Sequence, residues 1–279
     1  MEAIRALELL GEYTAGQWGM VTTQQALRSG IDDVTLHRLK SAGLLESVRR
    51  GVYAVTSAEA SDARVEQAAW LALRPEVAGW TRSKLDLDGG VVSHESAARL
   101  HNLGDLVNNR VNITTPRRRT TRDPGVRLRK GTLTDADVVV INGLPVTTPM
   151  RTIYDLLEQH SDASHVATIV RQAVEAGQVR LDELAQRIQP HARSYGAVPP
   201  TGVVLLELLL AQIGLSVQDL TNRPGPVFFG RRPQGRTWEE LKDVPVTWGQ
   251  LAEMSPETLQ RVLRTSTVFD DTTEPTERA

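Results

Sequence analysis

His37, Arg38 and Ser41 fall on one side of a short stretch, residues 34–42, that has helical spacing. On a wheel of about 100° per residue, Leu36 and Leu39 lie about 60° apart and mark the side to be buried, with Lys40 on its flank. His37, Arg38 and Ser41 point the other way, with Val34 beside them and Thr35 at the first turn. The chemistry on offer is hydrogen bonding to nucleic acid. An arginine suits the O6/N7 edge of guanine, and serine or histidine contacts a base or a phosphate. Further on, Arg49 and Arg50 form the tip between two β-type runs, residues 44–48 and 52–55. Two cations there can grip backbone phosphate, with Tyr53 in support.

The flanking signals say what must position these side chains. Residues 3–13 place Ile4, Leu7 and Leu10 at helical spacing, and residues 18–21 form a short extended piece. Thr23 can cap a second helix through Gln24, Gln25, Ala26 and Leu27, which Gly30 ends. Asp32 or Asp33 caps the third helix and Gly43 stops it. Helix, strand stub, helix, short glycine-containing turn, helix and hairpin is the order of a winged helix-turn-helix over residues 1–60. Such modules also dock proteins, so an acidic protein partner is the alternative occupant of the same face.

The length of 279 residues suggests roughly two domains at about 150 residues each. A hydrophobic share of 40% and a charged share of 24% suit a globular chain with a core of its own. With no cysteine, disulfides, thiolate nucleophiles and cysteine-based metal sites are excluded. The first five residues lack the basic-then-apolar layout of a secretory signal. The longest apolar run, residues 203–215, is broken by Glu207 and Gln212 and is too short for a bilayer, so a cytoplasmic location is expected. A net charge of −2 argues against coating nucleic acid by bulk charge. Yet residues 110–130 concentrate Arg110, Arg117, Arg118, Arg119, Arg122, Arg127, Arg129 and Lys130 against the single acid Asp123. A local basic stripe on a near-neutral chain fits a site-specific binder.

Beyond the first 60 residues, an alanine-rich helix over 61–74 and a hydrophilic connector over 81–90 lead to a mixed block. Its strands are read at 91–93, 111–115, 125–129, 137–141 and 144–146, with a helix over 96–104 and an Asn142-Gly143 tight turn. Thr148-Pro149 opens a helix through Ile153, Leu156 and Leu157. Further helices are expected over 163–176, 180–188 and 202–213, an irregular stretch over 216–246, and one or two helices over 247–264. The fold class is therefore α+β: a winged helix-turn-helix, then a mixed α/β module, then a mainly helical C-terminal region. The expected division is 1–60, a helix and connector over 61–90, one domain over 91–265, and a disordered acidic tail over 266–279.

The segments from Gly30 to Gly43 and from Leu44 to Tyr53 combine with Ser93-His-Glu-Ser-Ala-Ala98, Val111-Asn-Ile-Thr114, the run from Val138 to Pro149 and Arg151-Thr-Ile-Tyr-Asp155. Over about residues 1–160 this set resembles the AbiEi-type antitoxins of bacterial type IV toxin–antitoxin (abortive infection) systems. The resemblance implies a winged-helix repressor of its own promoter, bound at inverted repeats of double-stranded DNA. It also implies a co-expressed nucleotidyltransferase-like toxin that the antitoxin counteracts, and self-association through the C-terminal part. The DNA-binding role would fall on Thr35, His37, Arg38, Ser41, Arg49, Arg50 and Tyr53.

Other chemistry is weakly signalled. Glu240-Leu241-Lys242 has the spacing of a nuclease acid–lysine pair, yet Thr237-Trp-Glu-Glu240 is also a capping box. His94-Glu95 begins a zincin-like motif, but Ala98 stands where its second histidine is needed. No glycine-rich phosphate loop and no nucleophile elbow occurs, so no enzyme, metal or cofactor is expected. The loop carrying Arg117, Arg118, Arg119 and Arg122 is either a second phosphate-binding surface or a solvated loop. Val204, Leu205, Leu208 and Leu209 form a stripe that is either core or a self-association face.

Overall fold

A computed structural model of the chain describes residues 3–105 and 109–222. The first elements are α1 (Ala3–Gly16), β1 (Met20–Thr22), α2 (Thr23–Arg28), α3 (Asp33–Ser41), β2 (Leu45–Arg49) and β3 (Val52–Val55). The three strands form an antiparallel sheet in the order β1-β3-β2, with Met20 opposite Ala54 and Leu45 opposite Val55. Leu10, Val21, Ile31, Leu36, Leu39 and Leu45 close a first core, all at most 2% exposed. The cap of α2 is one residue earlier than its sequence suggested. Thr22 accepts from the Gln25 amide, and the Gln25 side chain reaches back to the Thr22 amide, so the capping box is built on the last strand residue and Thr23 is already helical. Gln25 is buried because its amide also pairs reciprocally with that of Gln17, at 2.9 and 3.0 Å.

The helix α4 (Arg64–Leu73) begins later than the alanine-rich run and is covered on nearly every side: Ala68, Ala69, Trp70, Leu71 and Leu73 are all buried. It packs on β1, β2 and β3 of the first sheet and on β4 (Val91–Val92) and β5 (Val111–Thr115) of a second one. Met20, Val52 and Ala54 thereby share one core with Val92, Ile113 and Val146. Arg82, in the connector, donates to four carbonyls of residues 70–77 and lies 4.4 Å from the Trp70 ring. It ties the last turn of α4, through Trp70 and Leu71, to the chain that follows it.

The second sheet runs β6-β5-β4-β8-β7, adding β6 (Val126–Lys130), β7 (Val138–Ile141) and β8 (Leu144–Thr147). β5 and β6 are parallel, as are β4 and β8, while β4–β5 and β7–β8 are antiparallel. Asn142 and Gly143 both have positive φ, 47° and 82°, the geometry of a two-residue hairpin turn between β7 and β8. The short helix α5 (His94–Leu100) starts two residues before the expected one. Then come α6 (Pro149–Glu158), α7 (Ala163–Glu175), α8 (Leu181–Ile188), α9 (Gly202–Ala211) and α10 (Val217–Asn222). Thr148, Asp162 and Thr201 cap α6, α7 and α9. Ile153, Leu156, Ile169, Leu184, Leu205 and Leu209 lie in their common core.

The architecture is α+β with a helical C-terminal region. Among the described residues, no helix is long and apolar enough to cross a membrane. The sequence readings at Glu240 and Lys242, over 247–264 and over the acidic tail lie outside the described residues.

Candidate nucleic-acid interface

The geometry of α3 follows from its cap and its two leucines. The Asp32 carboxylate accepts from the Thr35 amide at 2.8 Å, fixing the first turn. The Thr35 side chain bonds the same carboxylate; these bonds, with the positive charge of Arg38, hold Asp32 below the usual carboxylate range. Leu36 and Leu39 point into the core at 1% and 2% exposure. His37, Arg38 and Ser41 are exposed on the opposite side, as is Val34, and Lys40 is exposed on the flank. The helix thus presents donors and a small apolar group together on one face.

Seven residues were named from sequence, and the fold treats them unequally. His37, Arg38 and Ser41 share the outer face of α3, and Arg50 is exposed at the turn between β2 and β3. Gly51, next to it, has φ of 75°, and its carbonyl accepts from the Thr23 amide at 3.0 Å, which ties the hairpin tip to the start of α2. Thr35 is buried at the first turn of α3, and Tyr53 is half-buried against the first core. Arg49 is held by the protein itself. Its guanidinium lies 2.6 Å from Asp123 and donates to the carbonyls of Val65 and Gly125 at 3.1 and 3.3 Å. Sequence alone gave no sign that its partner stands 74 residues away.

The basic loop divides in a similar way. Arg119 donates to the carbonyls of Asp88 and Leu73, the latter at 2.8 Å, and Arg117 lies 3.3 Å from the Asp88 carboxylate. Arg118 and Arg122 are exposed. The loop leads through Asp123 and Gly125 into β6, so the contact with Arg49 joins the hairpin to it.

Residues 9–56 match the family model of a transcriptional regulator, the AbiEi antitoxin. The matched AbiEi segment runs from within α1 to the end of β3, and so contains α3 and the hairpin. It supports a general antitoxin and DNA-binding role for this end of the chain. No curated protein compared with the chain matches it.

A second polar assembly was not singled out by the sequence reading. A cleft of about 250 Å³ opens between β5, β6 and α6, lined among others by His94, Thr114, Arg129, Lys130, Arg151 and Asp155. His94 is 6% exposed and has φ of 54°, which is uncommon for a residue other than glycine. Burial, then the charges of Arg129, Arg151 and Arg127, push its pKa down to about 3. Arg151 Nε donates to Asp155 at 2.7 Å, and its Nη1 lies 3.3 Å from Asp137, which Arg187 also contacts at 2.9 Å. Burial nonetheless outweighs Arg151 at Asp155 and raises that carboxyl to about 6. Its one legible sign was the Arg151/Asp155 spacing, which puts a cation and an acid on one face of a helix. Among the described residues, no three His, Asp or Glu side chains are grouped to hold a metal ion.

Proposed function

We propose that this chain is an antitoxin and transcriptional autorepressor of the type IV kind, whose first 60 residues act as a winged helix-turn-helix. In this reading α3 is the recognition helix and the β2–β3 hairpin the wing. The observation that carries it is the outer face of α3, where His37, Arg38 and Ser41 stand exposed opposite Leu36 and Leu39. Arg38 reads guanine through O6 and N7, His37 and Ser41 contact a neighbouring base or phosphate, and Val34 suits a thymine methyl. Arg50 grips phosphate from the wing tip, and Arg118 and Arg122 extend the phosphate contacts. Arg49, already engaged, positions the wing.

The DNA is the chain's own promoter, bound at inverted repeats by two copies, since operator symmetry mirrors protein symmetry. The functional counterpart is a co-expressed nucleotidyltransferase-like toxin. The deciding experiment is a gel shift on the upstream DNA against unrelated DNA of equal length, at two salt concentrations. Arg38→Ala is expected to cost about 1–3 kcal/mol at the operator and relax base preference. Equal binding by Arg38→Ala and the unmutated chain would overturn the recognition assignment.

A further inference from the structure

The cleft between β5, β6 and α6 holds polar groups that the fold leaves without partners. Arg129 Nε and Asp155 Oδ2 are both buried and make no hydrogen bond. A buried donor or acceptor without a partner costs about 1–3 kcal/mol, more when charged, so such groups in a cleft point to something that completes them. The space, about 250 Å³, exceeds what one water needs, which is about 30 Å³ in the liquid.

The donor pattern names the ligand. Thr114 donates its hydroxyl proton to Ser93 Oγ at 2.8 Å, and Ser93 Oγ lies 2.9 Å from His94 Nδ1. With Ser93 donating to Nδ1, the neutral His94 ring carries its proton on Nε2 and is a donor there. Arg129 and Lys130 add cationic donors from β6. Arg151 is paired with Asp155, so the cations Arg129, Lys130 and Arg151 share the cleft with the acids Asp155 and Glu158. Asp155 Oδ2 is a buried, unpartnered acceptor on the cleft wall.

We propose that this cleft binds inorganic phosphate, gripped by Arg129, Lys130 and His94 Nε2, with Asp155 Oδ2 accepting the hydrogen of the monohydrogen phosphate ion. The acceptor gives selectivity. Phosphate brings a proton for Asp155 at neutral pH, whereas sulfate brings none and meets the carboxylate unprotected. The left-handed backbone at His94 is the kind of strain that a fold retains to aim a side chain. This site stands apart from the proposed DNA reading and does not depend on it.

The test is titration of the full chain at pH 7 and constant ionic strength with inorganic phosphate, sulfate and adenosine monophosphate, followed by calorimetry and by thermal unfolding. Phosphate is expected to bind at least tenfold tighter than sulfate and to raise the unfolding temperature with concentration. Adenosine monophosphate, whose second pKa of about 6 leaves its phosphate mostly without a proton at pH 7, is expected to bind no tighter than sulfate. Arg129→Gln should abolish binding, and Lys130→Gln, at an exposed position that cannot threaten folding, should weaken it severalfold. Asp155→Asn should bring sulfate up to the level of phosphate, an effect that a purely structural carboxylate would not produce. No phosphate binding, equal binding of both anions by the unmutated chain, or binding unchanged in Lys130→Gln would overturn the proposal. So would displacement of phosphate by duplex DNA.

Discussion

Arg49 Nη1 lies 2.6 Å from Asp123 Oδ2, so the β2–β3 hairpin that follows α3 is fastened to the loop that opens β6. The pair is largely shielded, with side-chain exposures of 11% and 27%. Arg49→Ala is expected to destabilise the chain by about 1–3 kcal/mol, because it leaves a partly buried carboxylate short of its charged donor. Urea unfolding checks this. A double-mutant cycle with Asp123→Ala should return a coupling of about 0.5–3 kcal/mol. A coupling near zero would mean that the contact does not hold the hairpin.

Arg50 is the contrasting neighbour, exposed at the tip. Arg50→Ala should leave stability within about 0.5 kcal/mol of the unmutated chain. It should also weaken binding to all DNA sequences alike and lower the salt slope by about 1. Binding isotherms over a range of salt concentrations decide it; an unchanged slope would remove Arg50 from the phosphate contacts.

Gly202 begins α9 against α8, where an added Cβ would sit 1.7 Å from the Ala185 carbonyl oxygen. A backbone atom cannot step aside as a side chain can, so Gly202→Ala should cost about 3 kcal/mol or more. Gly11, inside α1, would gain a Cβ with no atom within 4 Å. Gly11→Ala should therefore stabilise by roughly 0.5–1 kcal/mol. Denaturant midpoints of the two variants are expected to move in opposite directions.

His94, neutral in its cleft, makes stability depend on acid. Its folded pKa, about 3, lies below the ordinary value of 6.5, so the unfolded chain takes up the proton first. Its contribution is complete above pH 6.5 and is lost as pH falls toward 3, at no more than about 1.4 kcal/mol per pH unit. Asp155 works against this. Its folded pKa of about 6 lies above 3.8, so its contribution is full below 3.8 and is lost as pH rises through 6. His94→Asn, which tolerates the positive φ, should flatten the loss of stability between pH 6.5 and 4, and Asp155→Asn should steepen it. Unfolding free energies measured at several pH values test both signs.

Local chemistry made much of this chain legible. The Thr148-Pro149 start, the Asn142-Gly143 turn and the Asp32 cap act within a few residues, so sequence spacing reveals them directly. The buried face of α3 was readable because Leu36 and Leu39 set its period against His37, Arg38 and Ser41. The sheet order β6-β5-β4-β8-β7 was not, since pairing of Val92 with Val146 depends on how distant strands close a common core. The same holds for Arg49. Its charge and its place at a tip suggested phosphate, and only the fold brings Asp123 to it. The polar cleft was hidden for a related reason: His94, Arg129 and Asp155 come from three elements that converge only in space.

The indole of Trp18 donates to the carbonyl of Asn142 at 2.7 Å, and Gly143 leaves the room beside that ring. Synthesis separates the two by more than a hundred codons. At about 5–20 residues per second, a ribosome that has just added residue 60 needs roughly 4–16 s to reach Asn142. Through that interval the emerging segment can close its own small core, and it gains α4 when residue 73 clears the exit tunnel. Its clasp onto the second sheet still waits for the turn. A transcript cut short before that turn would yield a chain that carries the outer face of α3 and never receives the latch.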